Sequence, residues 1–493
     1  MTVAFCTLLF ITAACKKSFL EVVPKGKLIA QSYEDYDRLM NGSTFYVFNN
    51  RSMYLPAALM GDDVAAEGSL VNDDGMAQAK SVFQWDADIF KPIPNQYSTD
   101  NPLFLITLLS NMYTLNKIIT EVNDASTGTP QQKLELQAEA MVSRAFAHFL
   151  LINYFAKPYA AATAGTDPGF PMITTADITA NNFKRGTVQE MYDFIIRDIT
   201  TALPNLNVTP SFRTRWSRAG AEGFLGKVYL FMGKPADALD MLQQSFRDVA
   251  GMTSPPQLYD YNVTLAPGGS FLPIDPVYGP NSPFTGITDI TESVVAIMTY
   301  DGNNDGNNFG NDFLTLSPQA QALFGATDKR LLLYTDKQQD QTPNPGGRIR
   351  RFTAPYSFYA RIGVELPELY LLKAEAEART GDLTGAKTDV ETLRQHRMPA
   401  ADAAVPAVVA GDKTALIRFI IDERTREFAG LGQRWFDMRR LSEDPLFQGD
   451  PPARHVIYDA AAGNQVFTLL PERLTLRIPQ VYLKANPGME DNP

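Results

Sequence analysis

The chain has 493 residues, 45 % hydrophobic and 20 % charged, so it can bury an extensive core and is not disordered. Its 44 basic against 55 acidic side chains leave a formal charge of −11, which excludes a nucleic-acid protein built on a basic face. Three scattered histidines (His148, His396, His455) and two cysteines (Cys6, Cys15) exclude zinc frameworks and disulfide scaffolds, and no apolar run reaches the roughly 18 residues of a membrane span. A chain so poor in reactive side chains points to binding rather than to covalent chemistry.

Val3 to Ile11 form a short apolar stretch, followed by Thr12, Ala13, Ala14 and Cys15. That order suits a secretory signal with a processing site. A cysteine directly after small residues resembles a bacterial lipobox, with residues 1–14 removed as a lipoprotein signal peptide and Cys15 acylated. Thr12 stands where that motif usually has Leu, and no Lys or Arg precedes the apolar stretch. The competing readings are an ordinary cleaved signal or a plain hydrophobic strand. Several acyl chains would anchor the protein firmly, at about 0.8 kcal/mol per buried CH₂.

Residues 102–123 carry Leu105, Leu108, Met112, Leu115, Ile119 and Val122 at helical spacing. After Gly128, Pro130 opens a second predicted helix, which runs through Leu134, Ala138, Val142 and Phe149 and stops before Pro158. Thr187 followed by Glu190 has capping-box spacing for a helix over 187–203. Two further pairs are predicted, 218–232 with 235–249 and 365–380 with 383–397. Gly233 leads Ala238 as Gly381 leads Ala386, so the pairs look like tetratricopeptide units separated by long insertions. Generic helical hairpins are the alternative. Proline-rich residues 255–286 are predicted to hold no helix, while 292–300 and 348–352 read as strands. The expected fold is mostly α: tetratricopeptide-like helix pairs with large irregular loops and a minor β component.

Asp301, Asn303, Asp305, Gly306 and Asp312 match the spacing of an EF-hand calcium loop. The flanks are not clearly helical, Asp replaces the usual final Glu, and the same residue types favour turns. Calcium is therefore a candidate ligand, and no cofactor is required. Asp62-Asp63 invites comparison with the carboxylate pair of a glycosidase, but adjacency in sequence says nothing about separation across a bond. No GxSxG, HExxH, P-loop or GxGxxG spacing points to an enzyme.

The run Asp422-Glu423-Arg424-Thr425-Arg426-Glu427-Phe428-Ala429-Gly430-Leu431-Gly432-Gln433-Arg434-Trp435-Phe436-Asp437-Met438-Arg439-Arg440 resembles the signature of the SusD/RagB outer-membrane lipoproteins of Bacteroidetes. Glu368 to Ala376, Cys15 to Glu21 with Pro24, Gly61-Asp62-Asp63, Arg144-Ala145-Phe146, Asp328-Lys329-Arg330 and Ile478 to Pro487 are similar too, in family order. Read physically, the long motif is structural. Glu423 and Glu427 are expected to pair with Arg424, Arg426, Arg434 or Arg439 one and two turns away, and Trp435 and Phe436 to anchor the core.

The resemblance implies one SusD-like body over 15–493, with a helical part to 250, a loop-rich ligand-binding part over 251–360 and a C-terminal helical part over 361–493. It implies a lipid-anchored binder at the outer-membrane surface that passes an oligosaccharide to a SusC-type TonB-dependent transporter. An oligopeptide cargo, or a scaffold of the transporter complex with no ligand of its own, are the alternatives. Sugar faces stack on aromatic rings with polar groups at the rim. Trp85, Asn95 and Tyr97 supply that mixture, and the mid-chain loops that the family uses correspond to Tyr278, Phe284 and Phe309. For Trp85 a place in the core is an equal reading.

Overall fold

The computed structural model describes residues 30–49, 54–72, 77–93, 100–275, 279–281, 289–302, 313–337, 342–343, 347–350 and 357–493. Residues 1–14 and Cys15 lie outside them. Among the described residues no helix is long and apolar enough to cross a membrane.

Helices form where spacing and caps place them. Leu103–Glu121 packs against Pro130–Phe155, whose Thr129 cap exchanges hydrogen bonds with Gln132. Thr187 and Glu190 make the expected capping box of Val188–Ala202. Arg218–Phe231 packs on Pro235–Ala250, and Leu366–Thr380 packs on Leu383–Gln395. Gly233 and Gly381 turn these pairs at φ 68° and 103°, a region that side chains disfavour. Leu366–Thr380 also lies against Pro235–Ala250 and Lys413–Phe428, so the pairs stack on one another. The fold is mostly α with small sheets, as the sequence predicts.

The main apolar cluster draws residues from Ala57 to Ile478, with Phe149, Phe224 and Trp435 inside it. A second cluster, including Leu371, Val390, Leu416 and Ile420, fills the space among the C-terminal helices. Trp435 and Phe436 are core anchors, as expected.

The sheets depart from local expectation. Val64–Glu67 lies between Leu314–Leu316, antiparallel, and Arg454–Tyr458, parallel, with Gln465–Thr468 beyond. The stretch 292–300 forms two strands. Ser293–Val295 pairs with Val364–Glu365, and Met298–Gly302 pairs with Val47–Asn49 and Ser357–Arg361. Between them the Ala296 N–H donates to the Arg213 carbonyl, and the Ile297 carbonyl accepts from Ile362 and Gly363, so the chain changes partners there. The strand expected over 348–352 is Ile349–Arg350, paired with Tyr334–Thr335. Residues 255–286 do contain a helical turn, Tyr261–Thr264, contrary to the proline argument. Asp260 caps it, and the Asn262 amide donates to the carbonyls of Gln395 and Met398. The prolines flank this turn without entering it.

The signature run is two helices, Lys413–Phe428 and Gln433–Ser442, joined through Gly430 and Gly432 at φ 71° and 92°. Its charges pair mostly with other elements, which corrects the expectation of pairing along the helix. Glu423 accepts from Arg330 and Arg394 at 2.7 Å each, and only Arg426, at 2.7 Å, is a neighbour on its own helix. Glu427 accepts from Arg330 and Arg397, both at 2.8 Å, and Arg397 reaches on to Glu292. Arg424 pairs with Asp437 and Glu368, while Arg440 joins Asp437 to Glu375. Burial opposes the charge on Glu423, but Arg330, Arg426 and Arg394 outweigh it and hold the carboxyl at about 2. Among the described residues Arg439 has no carboxylate partner; it donates to the Ala156 carbonyl at 2.6 Å.

Two outcomes follow from this packing. Glu427→Ala removes the carboxylate that the buried Arg330 and Arg397 share and should cost about 3–5 kcal/mol in urea unfolding. An unchanged melting temperature with lost ligand binding would contradict the structural role. His148 donates from Nδ1 to the Arg144 carbonyl at 2.8 Å and accepts the Ile173 N–H at Nε2, which fixes a neutral ring that burial pushes down to about 4. An unfolded histidine takes its proton near 6.5, so this stabilisation is complete above that pH and is lost as pH falls toward 4. The penalty of His148→Gln should therefore shrink between pH 7 and pH 4.5, and a constant penalty would contradict the assignment.

Candidate functional site

Among the residues expected to bind ligand, Trp85 is the one whose side chain is described. It is 5 % exposed, its indole N–H donates to the Met60 carbonyl at 3.1 Å, and its ring stacks on His455 at 3.8 Å. The structure seats it in the core, the second of the two readings. Asn95, Tyr97, Tyr278, Phe284 and Phe309 lie outside the described residues, as do Asn303, Asp305 and Asp312 of the calcium candidate. Asp301 is on the strand Met298–Gly302, in register with Phe358. Among the described residues no group of three His, Cys, Asp or Glu side chains is placed to hold a metal ion.

A cleft of about 420 Å³ opens between the signature helices, the sheet and the chain before Arg454. Five segments build it. Asp62 and Asp63 come from the turn between the helix Tyr54–Met60 and the strand Val64–Glu67, and Asp422 and Thr425 from Lys413–Phe428. Arg434 comes from Gln433–Ser442, and Gln319, Ala320 and Leu323 from the Pro318–Ala322 turn and its exit. Pro451, Pro452 and Ala453 hold the remaining wall extended up to Arg454.

The turn at Asp62 is held from three sides. Arg434 grips the Asp62 carboxylate with Nε at 2.5 Å and Nη2 at 3.0 Å. Asp63 accepts the Gly430 N–H at 2.7 Å through its side chain and the Ser317 N–H at 2.9 Å through its carbonyl. His455, stacked on Phe83 as well as Trp85, faces the Gly61 carbonyl with Nε2 at 2.7 Å and the Phe83 carbonyl with Nδ1 at 2.6 Å. A Cβ at Gly61 would overlap the Asp63 carboxylate, so a larger residue there would displace that side chain from its Gly430 hydrogen bond. Burial disfavours the charged form of Asp62, yet Arg434 overrides it and keeps the carboxyl below its usual range. For Asp63 burial prevails and pushes the carboxyl up to about 7, with the Gly430 N–H as partial offset. Both Asp62 oxygens are engaged and Asp63 is buried, so the adjacent acids are no free pair for glycoside hydrolysis.

Other groups in the cleft keep open valence. Asp422 has no hydrogen-bond or ion-pair partner among the described residues, and burial raises its carboxyl above the ordinary range against the pull of Arg426 and Arg434. Nη1 of Arg434 is likewise left over by the Asp62 grip, and Arg454 and Gln319 stand exposed at the rim. Sequence reasoning took Arg434 as structural and passed over Asp422, Arg454 and Gln319. The one local signal was Pro451-Pro452 ahead of a strand, which forces an extended wall.

Comparison with known proteins adds the family. Residues 59–230 match a SusD-like model described as "Starch-binding associating with outer membrane", and residues 365–493 match the SusD family model. The chain matches no curated protein. A SusD superfamily protein from Bacteroides thetaiotaomicron is similar over 94 % of this chain and 100 % of its own, at TM-score 0.68 and 18 % identity. One from Bacteroides fragilis covers 93 % and 99 % at TM-score 0.66 and 19 % identity. A laminarin-binding SusD-like protein covers 94 % and 99 % at TM-score 0.62 and 18 % identity. With the stacked helix pairs, the signature helices and both family matches in agreement, this chain belongs to the SusD/RagB family.

Proposed function

We propose that the protein captures a glycan at the bacterial surface and hands it, chemically unchanged, to a SusC-type TonB-dependent transporter of the outer membrane. A lipid on Cys15 would anchor it there. The observation that carries this reading is the match of residues 59–230 to a family described as starch-binding and outer-membrane-associated. The similarity to a laminarin-binding protein along nearly the whole chain supports a glycan over a peptide. The mechanism is equilibrium binding and docking. Aromatic loop residues, Tyr97 and Tyr278 foremost, would supply apolar faces for the sugar rings, with Asn95, Phe284 and Phe309 beside them. Calcium at Asp301, Asn303, Asp305 and Asp312 would brace a mid-chain loop without taking part in transfer.

Affinity electrophoresis in gels containing laminarin or starch tests this reading against peptide pulldown. Retardation by a polysaccharide is expected. Tyr97→Ala or Tyr278→Ala should weaken it roughly two- to tenfold, the equivalent of the ~0.5–1.5 kcal/mol of one aromatic contact. Retained affinity in both variants would remove these residues from the site. Capture of peptides alone, or release of reducing ends from the polymer with turnover, would overturn the reading.

A further inference from the structure

The cleft beside Asp62 has the features of a small-molecule site rather than of a packing defect. Its volume of about 420 Å³ falls within the range of ligand pockets, and both apolar and polar side chains line it. Among the described residues, Ala320, Leu323, Pro451 and Pro452 supply its apolar lining and no aromatic ring lines it. Asp422 offers an acceptor that no described side chain uses, and Arg434 Nη1, Arg454 and Gln319 offer donors.

Charge decides which ligand suits these walls. An anion would find Arg454 but would also face Asp422 and the Asp62–Asp63 turn. A cation would find Asp422 but would face Arg434 and Arg454. A neutral molecule that donates and accepts at neighbouring positions satisfies both signs, and vicinal hydroxyls do so. Leaving Asp422 half-buried without a partner is costly, and hydroxyl donors would relieve that cost. We infer that this cleft is a binding site for a neutral polyol the size of one or two sugar units, held by Asp422, Arg434 and Arg454. The choice of a sugar among neutral polyols rests on the glycan-capture reading; the existence of the site does not.

The test is ligand-observed NMR titration of the full chain with D-glucose and with the β-1,3-linked disaccharide of glucose, with glycine as the zwitterionic control. The wild type should bind one of the sugars. Asp422→Ala and Arg454→Ala should each weaken binding by about tenfold, since each removes a charged hydrogen-bonding group from the site. Neither residue has an ion-pair partner among the described residues, so the melting temperature should not fall, and Gln319→Ala at the exposed rim gives a third, milder variant. Equal sugar binding in the wild type and all three variants would overturn the inference, as would binding of glycine with no sugar bound. Laminarin retardation that persists while neither small sugar binds removes the cleft and leaves surface capture standing. Loss of laminarin retardation with the small sugar still sensitive to Asp422→Ala supports the cleft and removes capture by the loops.

Discussion

The buried carboxylates of one helix, Lys413–Phe428, organise the C-terminal half of this protein. Glu423 is fully buried and held between Arg330, Arg394 and Arg426, and Glu427 between Arg330 and Arg397. Each of these arginines except Arg426 belongs to another segment. Arg330 follows Asp328, which pairs with it at 2.7 Å, Arg394 and Arg397 end the Leu383–Gln395 helix region, and Arg397 extends the chain of charges to Glu292 at the strand entry. Such a network adds little net stability over apolar packing, because desolvation offsets much of the attraction. Its effect is positional. Apolar surfaces tolerate sliding, whereas forked guanidinium–carboxylate pairs are satisfied in one register only. The second cluster, Arg424, Asp437, Arg440, Glu375 and Glu368, repeats the device between the two signature helices and the Leu366–Thr380 helix, and Lys227 joins it from the preceding pair.

That positional control reaches the cleft. The helix that carries Glu423 and Glu427 inward presents Asp422 and Thr425 to the cleft, and Arg434 stands just beyond the Gly430–Gly432 corner. One side of the signature is thus locked into the ion network while adjacent positions form a wall. Asp63, through the Gly430 N–H, ties the corner to the N-terminal half, and His455 ties the same turn to the sheet. A motif that reads as structural therefore also sets the shape of the cleft.

How much of this was legible in the sequence depends on the range of the interaction. Helices whose signals are local, such as Thr129 with Gln132, Thr187 with Glu190 or the Gly381 turn, were readable to within a few residues. Apart from Arg426, three residues from Glu423, the partners of Glu423 and Glu427 were not, because helical spacing favours neighbours one turn away while the other arginines lie 29 to 97 residues distant. The sheet joining Val64–Glu67 to Leu314–Leu316 and Arg454–Tyr458 was invisible for the same reason: each strand is too short to show alternation, and the pairing is long-range. Trp85 was ambiguous since an indole suits a sugar platform and a core equally. What decided it was His455, distant in sequence, stacking on its ring.

The most direct measurement of the central claim is a double-mutant cycle on Arg397 and Glu427, read by urea unfolding. If the network fixes register through specific pairs, Arg397→Met and Glu427→Leu will each destabilise strongly. The double variant will then be less destabilised than their sum, with a coupling of about 1–3 kcal/mol. Additive effects, with coupling near zero, would show that the buried charges act independently and would contradict the account.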